Sequence, residues 1–557
     1  MDPNALFVFA WLWSQTQLFH TAKEWHRWSS GGSVAHVLLQ LWQECGTPRP
    51  WLVAAICGLG GYIVLHGMAC LLRELHMVRY PTPRALFRKW VLLCFVSLVY
   101  LALYGSYSNH IILDMFLNLS LVVAALPSVL DDAWQEGFAR CMHALRLQTV
   151  TLYFLTTVYK LNTAWFDPSV SCASEVMGMV LQQYAPAVFP PTARHTQLLL
   201  TLSPYAAVAT EIVLAVGLAL PVVLDDGERG RLALLKRCTA TVGVGMHVYL
   251  AVPLPPSSFY PFSVTMLALY VAFLPVSMGH VLQRVSGRAL LVAAGAVLLP
   301  TTLLWTWLVT GAASDFYEYP PYGLYNFAVG WILVVAAWLL YALWARPASD
   351  ASSLVMLSRP EETSALKWVL PWVCPAGILA LGCLPFLGLR THPNFAMFSN
   401  LRVEGCVSNH LFMPQWAAGL TEDFVHVKDT DIPGLRHFQV DLSALFYSPT
   451  LKYLSDAGMV PSLWICPPQW TKDAPFQSYY IPVSAFSRVL NAYPEHETGY
   501  VRFTLYRQCK AVTEGLLTWP MSTDERRKEW FLQPMGFWEG WVSRFRSFDL
   551  HTSTCRH

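Results

Sequence analysis

Charge is scarce in this chain: 13% of its 557 residues are Asp, Glu, Lys or Arg, and 55% are hydrophobic. A soluble domain carries about a quarter charged residues, so a solvated globular surface is excluded. Lys and Arg total 37 against 35 Asp and Glu, a net charge of +2. With no global field and no basic run, nucleic acid is excluded as a partner. Metal-ligand spacing is missing as well. The 13 cysteines contain no CxxC pair and the histidines no HxxxH pair, which argues against structural zinc, and no metal is expected. No internal repeat, low-complexity tract or inverted half is present, which weighs against a transporter. Residues 5 to 20 are apolar but lack a basic flank and a small-residue cleavage site. An interfacial helix is expected there rather than a cleaved signal peptide, with a short extra span as the alternative.

Long apolar runs are what the chain does have. Runs able to cross a bilayer of about 30 Å fall at residues 51–72, 90–105, 110–130, 145–165, 203–224, 233–252, 259–280, 289–309, 324–343 and 368–389. The expected fold is an α-helical polytopic membrane protein of nine to ten spans, because only helices or closed barrels satisfy the backbone in lipid. Loop charges orient it. Arg73, Arg79, Arg84, Arg88 and Lys89 follow the first run, Arg140 the third, and Arg229, Arg231, Lys236 and Arg237 the fifth. Arg284 and Arg288 follow the seventh, and Arg346 and Arg359 the ninth. The intervening loops carry almost no basic residues, so the basic loops are expected in the cytoplasm.

Three regions follow: an N-terminal region at 1–50, a membrane domain at 51–390 and a C-terminal domain at 391–557. The last is expected on the lumenal or extracytoplasmic side. Its segments His437–Leu442 and Tyr500–Tyr506 alternate as half-buried strands do, so a β-rich or mixed α/β domain is expected. Cys172, Cys406, Cys466, Cys509 and Cys555 lie in non-membrane segments, where an oxidising compartment can pair some of them. Asn118-Leu-Ser120 matches a glycosylation acceptor but sits inside a span, so no glycan is expected.

Lys160 is the leading functional candidate. It closes an apolar run below the water interface, where a cation costs about 2.5–3.5 kcal/mol on insertion scales. At 1.5 Å per residue Lys160 stands roughly 22 Å and His247 roughly 21 Å above the cytoplasmic face. His110 opens a span at the outer side, with Asp114 one turn further in, and Glu211 falls roughly 12 Å below the outer end of its own run. An amine, two imidazoles and carboxylates can thus converge. Burial disfavours the charged form of an amine, the condition for a lysine to act as a general base. Each residue also has a plain reading: Lys160 snorkelling or paired with Glu211, His247 packed and hydrogen-bonded, His110 interfacial, Arg146 anchoring a helix end.

Ordered motifs extend this cluster: Ser108-Asn109-His110 opening a span; Arg146-x-Gln148 with Tyr153-Phe154, Val158-x-Lys160-Leu161 and Trp165; Glu211 with Val216-Gly217; Met246-His247; and Phe262-Ser263. Over roughly residues 50 to 345 the chain resembles the vitamin K-dependent gamma-carboxylase family and its wider group of HTTM membrane proteins. The resemblance implies that Lys160 is the catalytic base acting on reduced vitamin K or a related quinol, with O2 and CO2, to carboxylate a protein or peptide glutamate. It implies that His110 assists and that His247 lies in the same site. Asn109, Arg146, Gln148, Tyr153, Trp165 and Glu211 are the candidate quinone contacts. Expected partners are membrane lipids and a glutamate-bearing protein or peptide; the expected location is the endoplasmic reticulum membrane if the source is eukaryotic. Tyr159 stands where animal carboxylases have a second lysine, and the tail is short beside theirs. Its Asn394–Arg402 and Ser408-Asn-His-Leu resemble bacterial and algal HTTM members. The alternative is a non-catalytic membrane protein that binds a quinone or lipid, with a transporter as the third reading.

Overall fold

The structure is a computed structural model. It describes residues 3–29, 49–72, 82–103, 109–131, 133–220, 231–253, 259–274, 322–344, 365–387, 423–432, 478–492, 497–507 and 510–521, with 395–396, 399–401, 403, 408–413 and 435 besides. The chain is mostly helical. In order the described helices are α1 (Pro3–Ser29), α2 (Arg49–Leu72), α3 (Pro83–Leu103), α4 (Asn109–Leu130), α5 (Trp134–Lys160), α6 (Cys172–Tyr184), α7 (Arg194–Ala219), α8 (Arg231–Ala251), α9 (Tyr260–Tyr270), α10 (Tyr322–Trp344) and α11 (Ala365–Cys383). A sheet with one further helix follows.

Among the described residues four helical stretches are long and apolar enough to cross a membrane: Pro83–Ala102, Ile111–Val129, Arg194–Ala219 and Val369–Leu387. Helices α5 and α8 are not among them. Arg140, Arg146 and Lys160 in the first, and Arg231, Lys236, Arg237 and His247 in the second, dilute their apolar character. The run at 289–309, the end of the run at 259–280 and the expected strand at His437–Leu442 lie outside the described residues.

The chain divides into two compact units, Met1–Tyr153 with Ile212–Ile378, and Phe154–Glu211 with Leu379–His557. In the first, α1 packs against α2, α3 and α9. The segment expected at the membrane interface is therefore a 27-residue helix with Phe9, Trp13, Gln17 and His20 buried. Its aromatic face joins α3 and α5: Phe9 meets Trp90 edge-on at 5.6 Å, and Trp90 meets Phe138 edge-on at 6.3 Å. Close helix approach requires glycine at Gly243 in α8, where a Cβ would stand 1.7 Å from the Tyr270 hydroxyl of α9.

In the second unit the alternating segment Tyr500–Tyr506 lies within β3 (Gly499–Arg507). With β1 (Phe424–Thr430), β2 (Tyr479–Pro482) and β4 (Lys510–Trp519) it forms an antiparallel sheet in the order β2-β1-β3-β4. The inward-facing residues Val425, Val427, Ile481, Phe503 and Leu505 bury one sheet face. Helix α12 (Val483–Ala492) adds Phe486 and Leu490 to that core.

Candidate functional site

Lys160 is the last residue of α5, and the next five residues form a tight corner rather than more helix. The Leu161 amide donates to the Val158 carbonyl and the Asn162 amide to the Lys160 carbonyl. Asn162 holds the corner closed. Its side-chain amide donates to the carbonyls of Tyr159 (2.8 Å) and Ser399 (2.7 Å), and its Oδ1 accepts the Trp165 amide at 2.8 Å. Asn is suited to this because it offers donor and acceptor on one short side chain.

The corner presents Lys160 to α7. Its Nζ lies 2.8 Å from Glu211 Oε1, with the two side chains only 9% and 12% exposed, so the pair is buried rather than snorkelling. The Trp165 ring centroid lies 5.2 Å from the same Nζ, within cation–π range. Trp165 is itself fixed by donating from Nε1 to the Pro204 carbonyl at 3.0 Å. Pro204 sits inside α7 and has no amide hydrogen, so the Leu200 carbonyl loses its helical donor. The hydroxyls of Ser174 and Ser203 replace it, at 2.8 and 2.9 Å. Glu211 Oε2 is buried with no hydrogen-bond partner. A buried carboxylate oxygen without a donor costs free energy, and a hydroxyl-bearing guest would relieve that cost.

Tail residues complete the corner, and these the sequence reading passed over as candidates. Asn409 donates to the Asn400 carbonyl at 2.7 Å, and the Thr163 amide donates to the Asn409 carbonyl at 2.9 Å. Asn400, at φ 54°, accepts the first amide of α6, that of Cys172, at 2.9 Å; the N-cap Ser171 makes no such bond with its side chain. Asn is among the few residues that take this left-handed conformation readily. His410 accepts the Phe412 amide on Nδ1 and lies 3.0 Å from the Val158 carbonyl through Nε2. Its proton is therefore on Nε2, and burial holds the imidazole below its usual pKa. Cys172 is disulfide-bonded, whereas Cys57, Cys94, Cys141, Cys238, Cys374 and Cys383, all in helices, are free.

The other expected site residues belong to the first unit. His247 is fully buried, with Nε2 2.7 Å from the Tyr153 hydroxyl, which lies 2.9 Å from that of Tyr270. Its Nδ1 has no partner. Phe262 meets the imidazole edge-on at 5.4 Å. Arg146 donates from Nε to the Ala272 carbonyl, and Gln148 donates to the Phe116 carbonyl at 3.1 Å. Both thus tie backbone, although Gln148 Oε1 stays without a partner. Asn109 and His110 begin α4, but their side chains lie outside the described ones. Within one unit the structure joins Lys160, Glu211 and Trp165; within the other it joins His247 and Tyr153. No group of three His, Cys, Asp or Glu residues able to hold a metal occurs among the described residues. Comparison with known proteins brings no match: no family model, no curated protein and no solved structure.

Proposed function

We propose that this is a multi-pass membrane enzyme of the gamma-carboxylase type, in which Lys160 is the base that takes a hydroxyl proton from a reduced quinone. The observation that carries the reading is the buried Lys160–Glu211 pair with its unpartnered second carboxylate oxygen. The residues present fit a quinol. An orphan acceptor suits its hydroxyl, and the Trp165 indole beside the amine suits an aromatic ring. When bound, the quinol with O2 supplies the strong base that removes a glutamate γ-proton before CO2 adds.

Lys160 Nζ donates to Glu211 Oε1 at 2.8 Å, so the carboxylate is placed to take a proton from the ammonium. With the proton on Glu211, the Lys160 amine has a lone pair able to accept one from a hydroxyl. Once it has, the pair carries a single positive charge, which stabilises an adjacent oxyanion in a water-poor setting. Trp165, held by Pro204, limits where the ammonium can move. The roles of His110 and His247 as supporting groups belong to the same proposal and rest on the sequence motifs. The nine to ten spans and the lumenal or extracytoplasmic C-terminal domain, with an endoplasmic reticulum membrane location if the source is eukaryotic, belong to it too. They rest on the apolar runs and loop charges, and the Cys172 disulfide supports an oxidising side for that domain.

Lys160→Ala in the purified full-length protein should abolish quinol-dependent epoxide formation, and Glu211→Gln should lower it by about 10²- to 10³-fold, as loss of a positioned acid–base partner does. Epoxide formed at the normal rate by Lys160→Ala rejects the assignment. The second reading is non-catalytic binding of a quinone or lipid, favoured by Glu211 already neutralising the ammonium. It predicts saturable quinol binding with neither epoxide nor carbon incorporation into a glutamate peptide.

A further inference from the structure

We propose that the first unit holds a site for a small monovalent cation of the sodium class, centred on Asp114 and independent of the Lys160 site. Asp114 is fully buried in α4. Its Oδ1 accepts a hydrogen bond from Gln17 Nε2 at 2.9 Å, and its Oδ2 has no partner. The carboxyl group lines a small cavity together with Gln17, His20 and Thr21 of α1 and Ser97 and Tyr100 of α3. Ser97 Oγ is likewise buried without a partner. Two residues of separate helices, each with an unpartnered buried polar atom, thus line one cavity, whose lining holds His20 but no Lys or Arg. A lone carboxylate among apolar helices costs several kcal/mol unless a counter-charge meets it.

The donors around the cavity are largely committed elsewhere, and this sets the chemistry of the guest. The Thr21 hydroxyl donates to the Gln17 carbonyl at 2.8 Å, leaving its oxygen lone pairs. Gln17 is locked in orientation: Asn118 Nδ2 donates to its Oε1 at 3.2 Å, and Trp13 Nε1 in turn holds Asn118 Oδ1 at 3.2 Å. His20 Nε2 bonds Thr265 Oγ1 at 2.8 Å, and the Thr265 hydroxyl donates onward to the Pro261 carbonyl at 3.4 Å. Beside the carboxylate the lining thus offers the hydroxyl oxygens of Thr21 and Ser97, with the Tyr100 hydroxyl and the His20 ring also on its wall. The cavity has room for about one water molecule, which excludes organic cations. One carboxylate with hydroxyl oxygens matches a hard cation of charge +1. It lacks the several carboxylates or nitrogen ligands that divalent and transition ions take.

The test measures thermal melting of the full-length protein in detergent, with sodium chloride titrated against choline chloride at constant ionic strength. A saturable rise in melting temperature with sodium alone is expected. Asp114→Asn should flatten it, Ser97→Ala should raise the half-saturating sodium concentration by roughly tenfold, and Lys160→Ala should retain it. Should Asp114→Asn fail to fold, Ser97→Ala and equilibrium dialysis of ²²Na⁺ against the parent protein decide the matter. Identical sodium and choline curves overturn the proposal. So does a response to pH without one to sodium, which would make Asp114 a proton site, and so does unchanged sodium affinity in Ser97→Ala.

Discussion

At the scale of single residues, buried polar groups divide into those that are satisfied and those that are not. Asn162 spends its side chain on two carbonyls and an amide, whereas Glu211 Oε2, Asp114 Oδ2 and His247 Nδ1 have no partner. Glu175, in the first turn of α6, is a different case: burial lifts its carboxyl from 4.5 to about 7. A carboxyl with a raised folded-state pKa holds its proton more tightly folded than unfolded. No stability is then lost below pH 4.5; the loss grows as pH climbs toward 7 and is complete above. Its full size is about 3 kcal/mol. Glu175→Gln should therefore melt with the parent at pH 4.5 and well above it at pH 8, and a gap that does not widen with pH would count against this account. Lys160 and its partner were legible in the sequence, since a cation in an apolar run calls for a counter-charge and Glu211 was one acid placed at a compatible depth. Asn162, Asn400 and Asn409 were not, because asparagines some 240 positions apart carry no periodicity that announces a shared hydrogen-bond network.

At the scale of elements, apolar run length located most described helices, but boundaries moved where polar residues face protein instead of lipid. Helix α5 begins at Trp134, well before the apolar run at Leu145, because Phe138 and Cys141 are buried against other helices while Arg140 bonds the Ala124 carbonyl and Ser128 of α4. Hydropathy cannot reveal that, since it counts side chains and not their partners. Helix α1 was expected over residues 5 to 20 and spans Pro3–Ser29; Gln17, His20 and Thr21 weaken its apolar signal, yet each is hydrogen-bonded among the helices. Glycine marks where helices touch. At Gly243 an alanine methyl would collide with the Tyr270 hydroxyl and ring, and both α8 and α9 are packed too closely there to yield freely. Gly243→Ala should lower stability by about 1–3 kcal/mol, read as a fall in melting temperature, whereas Gly245→Ala, with open space around it, should be nearly neutral.

At the scale of the whole molecule, composition pointed to membrane-crossing helices, of which four long and apolar enough occur among the described residues, and the alternating tail segment yielded a strand of the sheet. The pairing order β2-β1-β3-β4 was beyond reach because register depends on partners far along the chain. The broad exposure of apolar side chains, including Leu92, Phe95, Val369 and Trp372, is what a lipid-facing surface requires. Helix α7 shows it most: only 28% of its apolar window is buried, and Ile212 and Val213, the residues after Glu211, are each 45% exposed. Glu211 is thus followed along α7 by an exposed apolar pair. On the proposed quinol reading, a guest would reach Glu211 across this exposed apolar face, and its dose would be set by its mole fraction in the amphiphile phase and not by its molarity in the tube. Adding empty micelles at fixed total quinol should slow turnover in proportion to the dilution, and reconstitution into vesicles loaded with the same quinol should restore it.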